Sequence, residues 1–251
     1  MQEISASKTI FLSTVDSTNE EAKRRIEKID SPTWIVSENQ TKGKGRHGKT
    51  WLDGSRNFTG SLVFLTSKSP SDFFLYGFFI SVALFDTLKY LCGHNSDLFL
   101  KWPNDIILKN RKLSGILIES QKLLNSNRFA LIIGVGVNLN SAPNLKKDES
   151  GYDTICLADV LGCRVDEKEF FECLKFQITK LEKAIKIEGL EKIVDYWLKR
   201  TYEIGAELEI RDYNGERFAG RFIGVDPAGA IMISSGNAVK KVYSGDLFFE
   251  N

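Results

Sequence analysis

Apolar and polar positions follow two rhythms along this 251-residue chain, and the change falls near residue 202. Residues 9–12 form a short apolar run that predicts a strand. Ser17-Thr18-Asn19-Glu20 then reads as a capping box, with Ser17 as N-cap and Glu20 three residues on, and a helix carrying Ala22, Ile26 and Ile29. Residues 33–37 and 61–66 predict strands on either side of a glycine-rich stretch. The longest apolar run, residues 73–85, is broken by Gly77 and Ser81 and stopped by Asp86. The run itself is too short to span a bilayer and predicts a buried helix over 72–91. Strands are expected at 98–102, 106–108, 113–119 and 130–137, with Asn110 in a hairpin turn between 106–108 and 113–119. Residues 140–153 read as loop. Phe170, Phe171, Leu174, Ile178, Leu181 and Ile185 recur at helical spacing behind an Asp166 cap, predicting a helix over 167–187 and another over 190–200.

Beyond residue 202 the runs shorten. Segments 207–211, 217–225, 230–234, 238–242 and 247–249 predict strands, parted by turns at Asn214-Gly215, Pro227-Ala228-Gly229, Ser235-Gly236-Asn237 and Ser244-Gly245. Five short strands at this spacing suggest a small β-barrel or sandwich. The expected architecture is therefore α+β: a mixed sheet flanked by helices in residues 1–202, and a small barrel in 203–251.

Composition narrows the function. Apolar content of 42% and charge of 27% are ordinary for a globular chain with a buried core. With 34 Lys+Arg against 33 Asp+Glu, the net charge of +1 lacks the basic excess of a dedicated nucleic-acid binder. Cys92, Cys156, Cys163 and Cys173 form no CxxC pair, and with His47 and His94 they give no zinc spacing. Free thiols, and residues 1–13 without the pattern of a signal peptide, point to the cytoplasm.

The candidate chemistry starts at Gly43-Lys44-Gly45-Arg46-His47-Gly48-Lys49-Thr50-Trp51. As a pattern it satisfies the P-loop expression, but a P-loop leads directly into a helix. Residues 51–60 carry Gly54, Gly60 and no helical period, so the loop continues. What remains is a cationic, glycine-punctuated loop suited to an anion such as a polyphosphate. Lys101-Trp102-Pro103-Asn104-Asp105 projects two polar side chains from a proline turn, where a plain Asn/Asp turn is an equal reading. Lys112 opens an apolar stretch in which Gly115 leaves backbone bare, although a solvated hairpin lysine is the ordinary alternative. Gly134-Val135-Gly136-Val137-Asn138 offers a bulge or tight packing on the ordinary reading, and a strand surface for a flat ligand on the functional one. Ser17 alone is explained by capping, and Gln40 alone by its place beside a loop.

Taken in order, these six segments resemble the biotin protein ligases (biotin–[acetyl-CoA-carboxylase] ligases), and the resemblance covers nearly the whole chain. Gly43 to Trp51 is similar to the family's glycine–arginine loop, and Ser17-Thr18-Asn19 to its helix start. Lys101 to Asp105 matches Lys-Trp-Pro-Asn-Asp identically, Lys112 to Leu117 the Lys-Leu-x-Gly-Ile-Leu element, and Gly134 to Asn138 the Gly-x-Gly-x-Asn strand. Gly224-Val225-Asp226 resembles the turn of the family's C-terminal barrel.

The resemblance implies a class II synthetase-like catalytic domain with an SH3-like C-terminal barrel. It implies ATP with Mg2+ as cofactors, biotin as substrate, biotinyl-5′-AMP as intermediate, and a lysine of a biotin carboxyl carrier domain as acceptor. Lys112, Arg46 and Asp105 are then expected to be catalytic. Biotin is expected against Ser17, Thr18, Asn19, Gln40, Lys44, Gly45, Arg46, Lys112, Gly115, Gly134 and Gly136. ATP is expected against Arg46, Lys49, Trp51, Asn104, Asp105, Lys112 and Asn138, with Trp51 stacking on adenine and no tight protein-held metal. Lys44 and Lys49 depart from the usual arginines, exchanging two-pronged phosphate contacts for point charges. The first strand begins by residue 9, so the monofunctional group without the DNA-binding domain is expected, with no DNA or membrane partner; a homodimer is left open. Rival readings are a lipoate ligase of the same fold, a P-loop nucleotide hydrolase, and a binding module built on the barrel.

Overall fold

The first 137 residues lay down seven strands. These are β1 (Lys8–Leu12), β2 (Thr33–Ser37), β3 (Phe58–Thr66), β4 (Leu98–Lys101), β5 (Asp105–Leu108), β6 (Arg111–Lys122) and β7 (Phe129–Val137). They join in one sheet ordered β1-β2-β3-β7-β6-β5-β4, with β1 and β2 parallel and every other pair antiparallel. This computed structural model describes residues 3–248 except 53, 55, 94–95, 144–151, 213–214, 237 and 244. Most of the 140–153 loop, part of three C-terminal turns, and Phe249 of the last predicted strand therefore lie outside the described residues.

Alternation along the central strands explains the layering. Trp34, Val36, Leu62, Phe64, Leu131 and Ile133 join the main apolar cluster, while Ile35, Val63, Ala130 and Ile132 join a smaller one with Ala22 and Ile26. Successive residues of a strand point to opposite faces. Helix α1 (Thr18–Arg25) covers the face with the smaller cluster. The other face takes α2 (Phe73–Cys92) and, packed on α2, α4 (Glu167–Glu188); α3 (Leu157–Leu161) lies between them in sequence.

Helix α2 is the buried helix expected, and it runs past the apolar stretch that marks it. Residues 70–92 are long and apolar enough to cross a membrane by length and composition. The segment is nevertheless wrapped by α4, β4, β6 and the short α5 (Ile193–Leu198), and Phe79, Ile80, Val82, Ala83, Leu84 and Leu88 are fully buried. A helix apolar all round is one covered on all sides. Helix α4 starts as expected, with the Asp166 carboxylate accepting from the Lys168 and Glu169 amides.

The expected helix over 190–200 is instead a 3-10 turn followed by α5, and α3 was not anticipated. Strand β3 begins at Phe58, three residues before the expected start, because Thr59 and Gly60 read as loop residues. Gly60 pairs with both Val36 and Val135, and a β-carbon there would crowd Phe58 and Val36.

The last strands are β8 (Glu207–Asp212), β9 (Arg217–Val225), β10 (Ile231–Ser235), β11 (Ala238–Val242) and β12 (Gly245–Phe248), in an antiparallel sheet ordered β11-β10-β9-β8-β12. Leu208, Ile210, Phe222, Val225, Ile231 and Ile233 belong to the same apolar cluster as α2 and α5. Tyr202 bridges the two sheets, its ring 5.2 Å from Phe99 and 6.5 Å from Phe222. Four cations of this module are paired with acids: Arg217 with Glu209, Arg221 with Glu207, Lys240 with Glu216 and Lys241 with Asp226.

Candidate active site

The central strands converge with the start of α1 and the glycine loop around one cavity of about 140 Å³. Every candidate site residue read from the sequence lines it. Ser17, Thr18 and Asn19 come from the start of α1, Gln40, residues 44–47 and 49–51 from the loop, and Asn104 and Asp105 from the β4–β5 turn. Strand β6 adds Lys112 and Gly115; β7 and its exit add Gly134, Gly136 and Asn138.

One wall is a closed polar network. The Thr18 amide and hydroxyl both donate to Gln40 Oε1, at 2.8 and 3.1 Å. The Ser61 hydroxyl is shared with Thr18 Oγ1 (2.7 Å) and Asn19 Oδ1 (2.5 Å), while Asn19 Nδ2 donates to Glu119. Lys23 joins Glu119 to Glu20, and Glu20 reaches Lys44 of the loop at 2.6 Å. The capping box expected at Ser17 is not formed. Ser17 has N-cap backbone geometry without a side-chain capping bond, and Glu20 is committed to the two lysines. The Ser17 side chain is buried and faces the cavity.

The opposite wall gathers charge. Lys112 Nζ stands 2.9 Å from Asp105 Oδ1, a buried carboxylate. Arg46 Nη1 donates to Asn104 Oδ1 at 3.3 Å. Asn104 is itself fixed to β6, its Nδ2 donating to the Ile116 carbonyl and its carbonyl accepting from the Ile116 amide. Lys109 and Asn110, both at positive φ, make the tight turn that feeds Lys112 into β6. Behind Asp105, Lys101 lies 4.5 Å over the Tyr152 ring, and burial, with Asp105 nearby, pushes the Tyr152 and Tyr202 hydroxyls above the usual tyrosine range.

The strand glycines are tightly packed rather than bare, which is the ordinary reading of their motif. A β-carbon at Gly134 would collide with Asn19, and one at Gly136 with the Trp51 ring, which also lies against Gly115. The missing side chains make room for Asn19 and Trp51. Three buried polar atoms end here without a hydrogen bond among the described residues: Trp51 Nε1, Asn138 Oδ1 and Asp105 Oδ1, the last held only by its ion pair with Lys112. Unsatisfied buried polar atoms at a cavity are natural ligand contacts.

Sequence reasoning missed His47, Thr50, Leu52, Ile116, Leu117, Val135, Pro143 and Thr154 on the lining. The apolar members were indistinguishable from ordinary strand residues. Thr154 carries no local signal; residues 153–155 form a parallel bridge to Lys112, bonding its amide and carbonyl.

Residues 11–138 match the model of the biotin/lipoate A/B protein ligase family. The chain is 30% identical over 240 residues to a biotin–[acetyl-CoA-carboxylase] ligase of Paracoccus denitrificans, covering 95% of this chain and 99% of that one. It is 24% identical to the bifunctional ligase/repressor BirA of Escherichia coli over 94% of this chain and 72% of the relative. Among solved structures, the biotin protein ligase from Aquifex aeolicus in complex with biotin and ATP superposes with a TM-score of 0.74 at 25% identity, covering 96% of this chain and 97% of that one.

Proposed function

The chain belongs to the biotin/lipoate A/B protein ligase family, and from that premise we propose that it activates biotin with ATP and transfers the biotinyl group to a lysine of a biotin carboxyl carrier domain. The observation that carries this reading is the pairing of Arg46 and Lys112 with consecutive residues, Asn104 and Asp105, inside one loop-covered cavity. The biotin carboxylate attacks the α-phosphorus of ATP, the bond to the β-phosphate oxygen breaks, and pyrophosphate leaves. Two anions meet in that step, so preset cations lower its barrier most. Lys112 sits where it can bridge carboxylate and α-phosphate, and Arg46 where it can hold the phosphate. In the second step a neutral lysine amine attacks the biotinyl carbonyl and AMP departs.

The polar wall favours biotin over lipoate. Thr18, Asn19, Gln40 and Ser61 supply hydrogen bonds suited to a ureido ring, which an apolar dithiolane would leave unmatched, and such mismatches discriminate strongly. Trp51 and Asn138 offer a ring face and an acceptor for adenine and its exocyclic amine. Among the described residues no three His, Cys, Asp or Glu cluster to hold a metal. Asp105, the carboxylate among the described lining residues, fits magnesium carried in mainly by the triphosphate, where it would neutralise phosphate charge. We assign residues 1–202 to catalysis and 203–251 to an accessory module.

Biotin-dependent exchange of labelled pyrophosphate into ATP tests the first half-reaction. Exchange that requires biotin is expected; exchange indifferent to biotin contradicts the reading.

A further inference from the structure

Trp102 has no place in the chemistry above, yet it is almost wholly buried and its side chain leaves the catalytic sheet. Its Nε1 donates to the Gly229 carbonyl, in the β9–β10 turn of the small sheet, at 3.1 Å. That acceptor is held firmly. Asp226 Oδ1 accepts from the Ala228 and Ala230 amides, at 2.8 and 3.0 Å, and its other oxygen pairs with Lys241 at 3.1 Å. Burial pushes the Asp226 carboxyl up, but those amides and Lys241 outweigh it and keep the group below its ordinary value, charged as the turn requires. Gly229 has φ +83°, and a β-carbon on it would collide with the Phe74 ring of α2, so the turn is seated as well as tied.

The same hairpin that presents Trp102 to this turn presents Asn104 and Asp105 to the cavity, Lys101 and Asp105 being directly paired across it. Asn104 holds Arg46 and Asp105 holds Lys112. We propose that Trp102 is a positioning residue through which the β9–β10 turn sets the hairpin and, with it, both cations of the reaction. This rests on the proposed function for its catalytic consequence, though not for the mechanical link. The small sheet then acts on chemistry through one part-buried hydrogen bond rather than through surface charge, where Arg217, Arg221, Lys240 and Lys241 are paired off.

Trp102→Phe in the full chain removes the donor and keeps a large ring. Small displacements of reacting groups cost rate steeply, so kcat for pyrophosphate exchange is expected to fall roughly tenfold with the KM for biotin within about twofold. Thr18 bonds to Gln40 and Ser61, and Asn19 to Ser61 and Glu119, all outside the hairpin. Asp226→Asn loosens the turn from the other side and should give the same kcat loss without multiplying that of Trp102→Phe.

Hydrogen exchange at the Ile116 amide, which donates to the Asn104 carbonyl, reads the hairpin without substrate. It should quicken by about tenfold in Trp102→Phe while Ile133, in the sheet centre, is unchanged. Unaltered Ile116 exchange, or a wild-type kcat per folded molecule, overturns the proposal. Independent, multiplying losses in the two variants overturn it too. Responsive Ile116 exchange in a protein without biotin-dependent activity would uphold the link and reject the proposed function instead.

Discussion

Lys112 and Arg46 are both cations of the cavity, but their partners set them different tasks. Lys112 is locked against buried Asp105 and its backbone is pinned by residues 153–155, so in the proposed mechanism it acts as a preset charge where the carboxylate attacks. Lys112→Ala should lower biotin-dependent pyrophosphate exchange by roughly a hundredfold or more, as loss of a preorganised donor does; exchange near the wild-type rate would remove it from the mechanism. Arg46 comes from the loop and reaches Asn104 at 3.3 Å, so it serves better to retain the adenylate than to build the site. Arg46→Gly should release the intermediate, seen by mass spectrometry as biotin on a bystander protein's lysines; no bystander labelling from an active variant contradicts that role. At this scale the motifs were legible because each joins a charge or amide to an unusual backbone signal. Hidden were the Trp51–Gly136 contact and the redirection of Glu20 to Lys44, because nothing local says which distant side chain fills a glycine's space.

The loop at residues 41–52 is held to the rest by a few contacts. Gly43 and Gly45 bond to Trp51 and Lys49 within it; outward, the Thr41 and Lys42 amides donate to the Val15 and Asp16 carbonyls, Lys44 reaches Glu20, Arg46 reaches Asn104, and Trp51 rests on β6 and β7. The Lys44–Glu20 pair is substantially exposed and is worth about 1 kcal/mol at most. So weak a tie permits opening, while an anion between Arg46 and Lys112 would favour closure. Trypsin cleavage between Lys42 and Arg56 should slow several-fold with saturating biotin and ATP, and equal rates would refute ligand-driven ordering. Long periodic elements such as α2 and α4 were readable because burial repeats along them. The start of β3 and the whole of α3 were not. Gly60 signals a turn until strands on both sides are known, and five residues are too few to establish a helical period.

Across the whole molecule, the strands beyond residue 202 form a sheet of their own, but the two sheets share one apolar cluster and the Tyr202 contacts. Removing residues 203–251 would bare that cluster, so full-length variants are the sounder probe of the module. Topology was less legible than the elements themselves: alternation told which strands are half-buried, but not that β7 inserts between β3 and β6. The central claim is transfer of biotin to a carrier, and intact-mass spectrometry of a biotin carboxyl carrier domain tests it most directly. After incubation with this chain, ATP and magnesium, the account predicts a gain of one biotinyl group on a single lysine with biotin and no gain with lipoate. An unchanged mass with biotin, or a lipoyl adduct in its place, would contradict it.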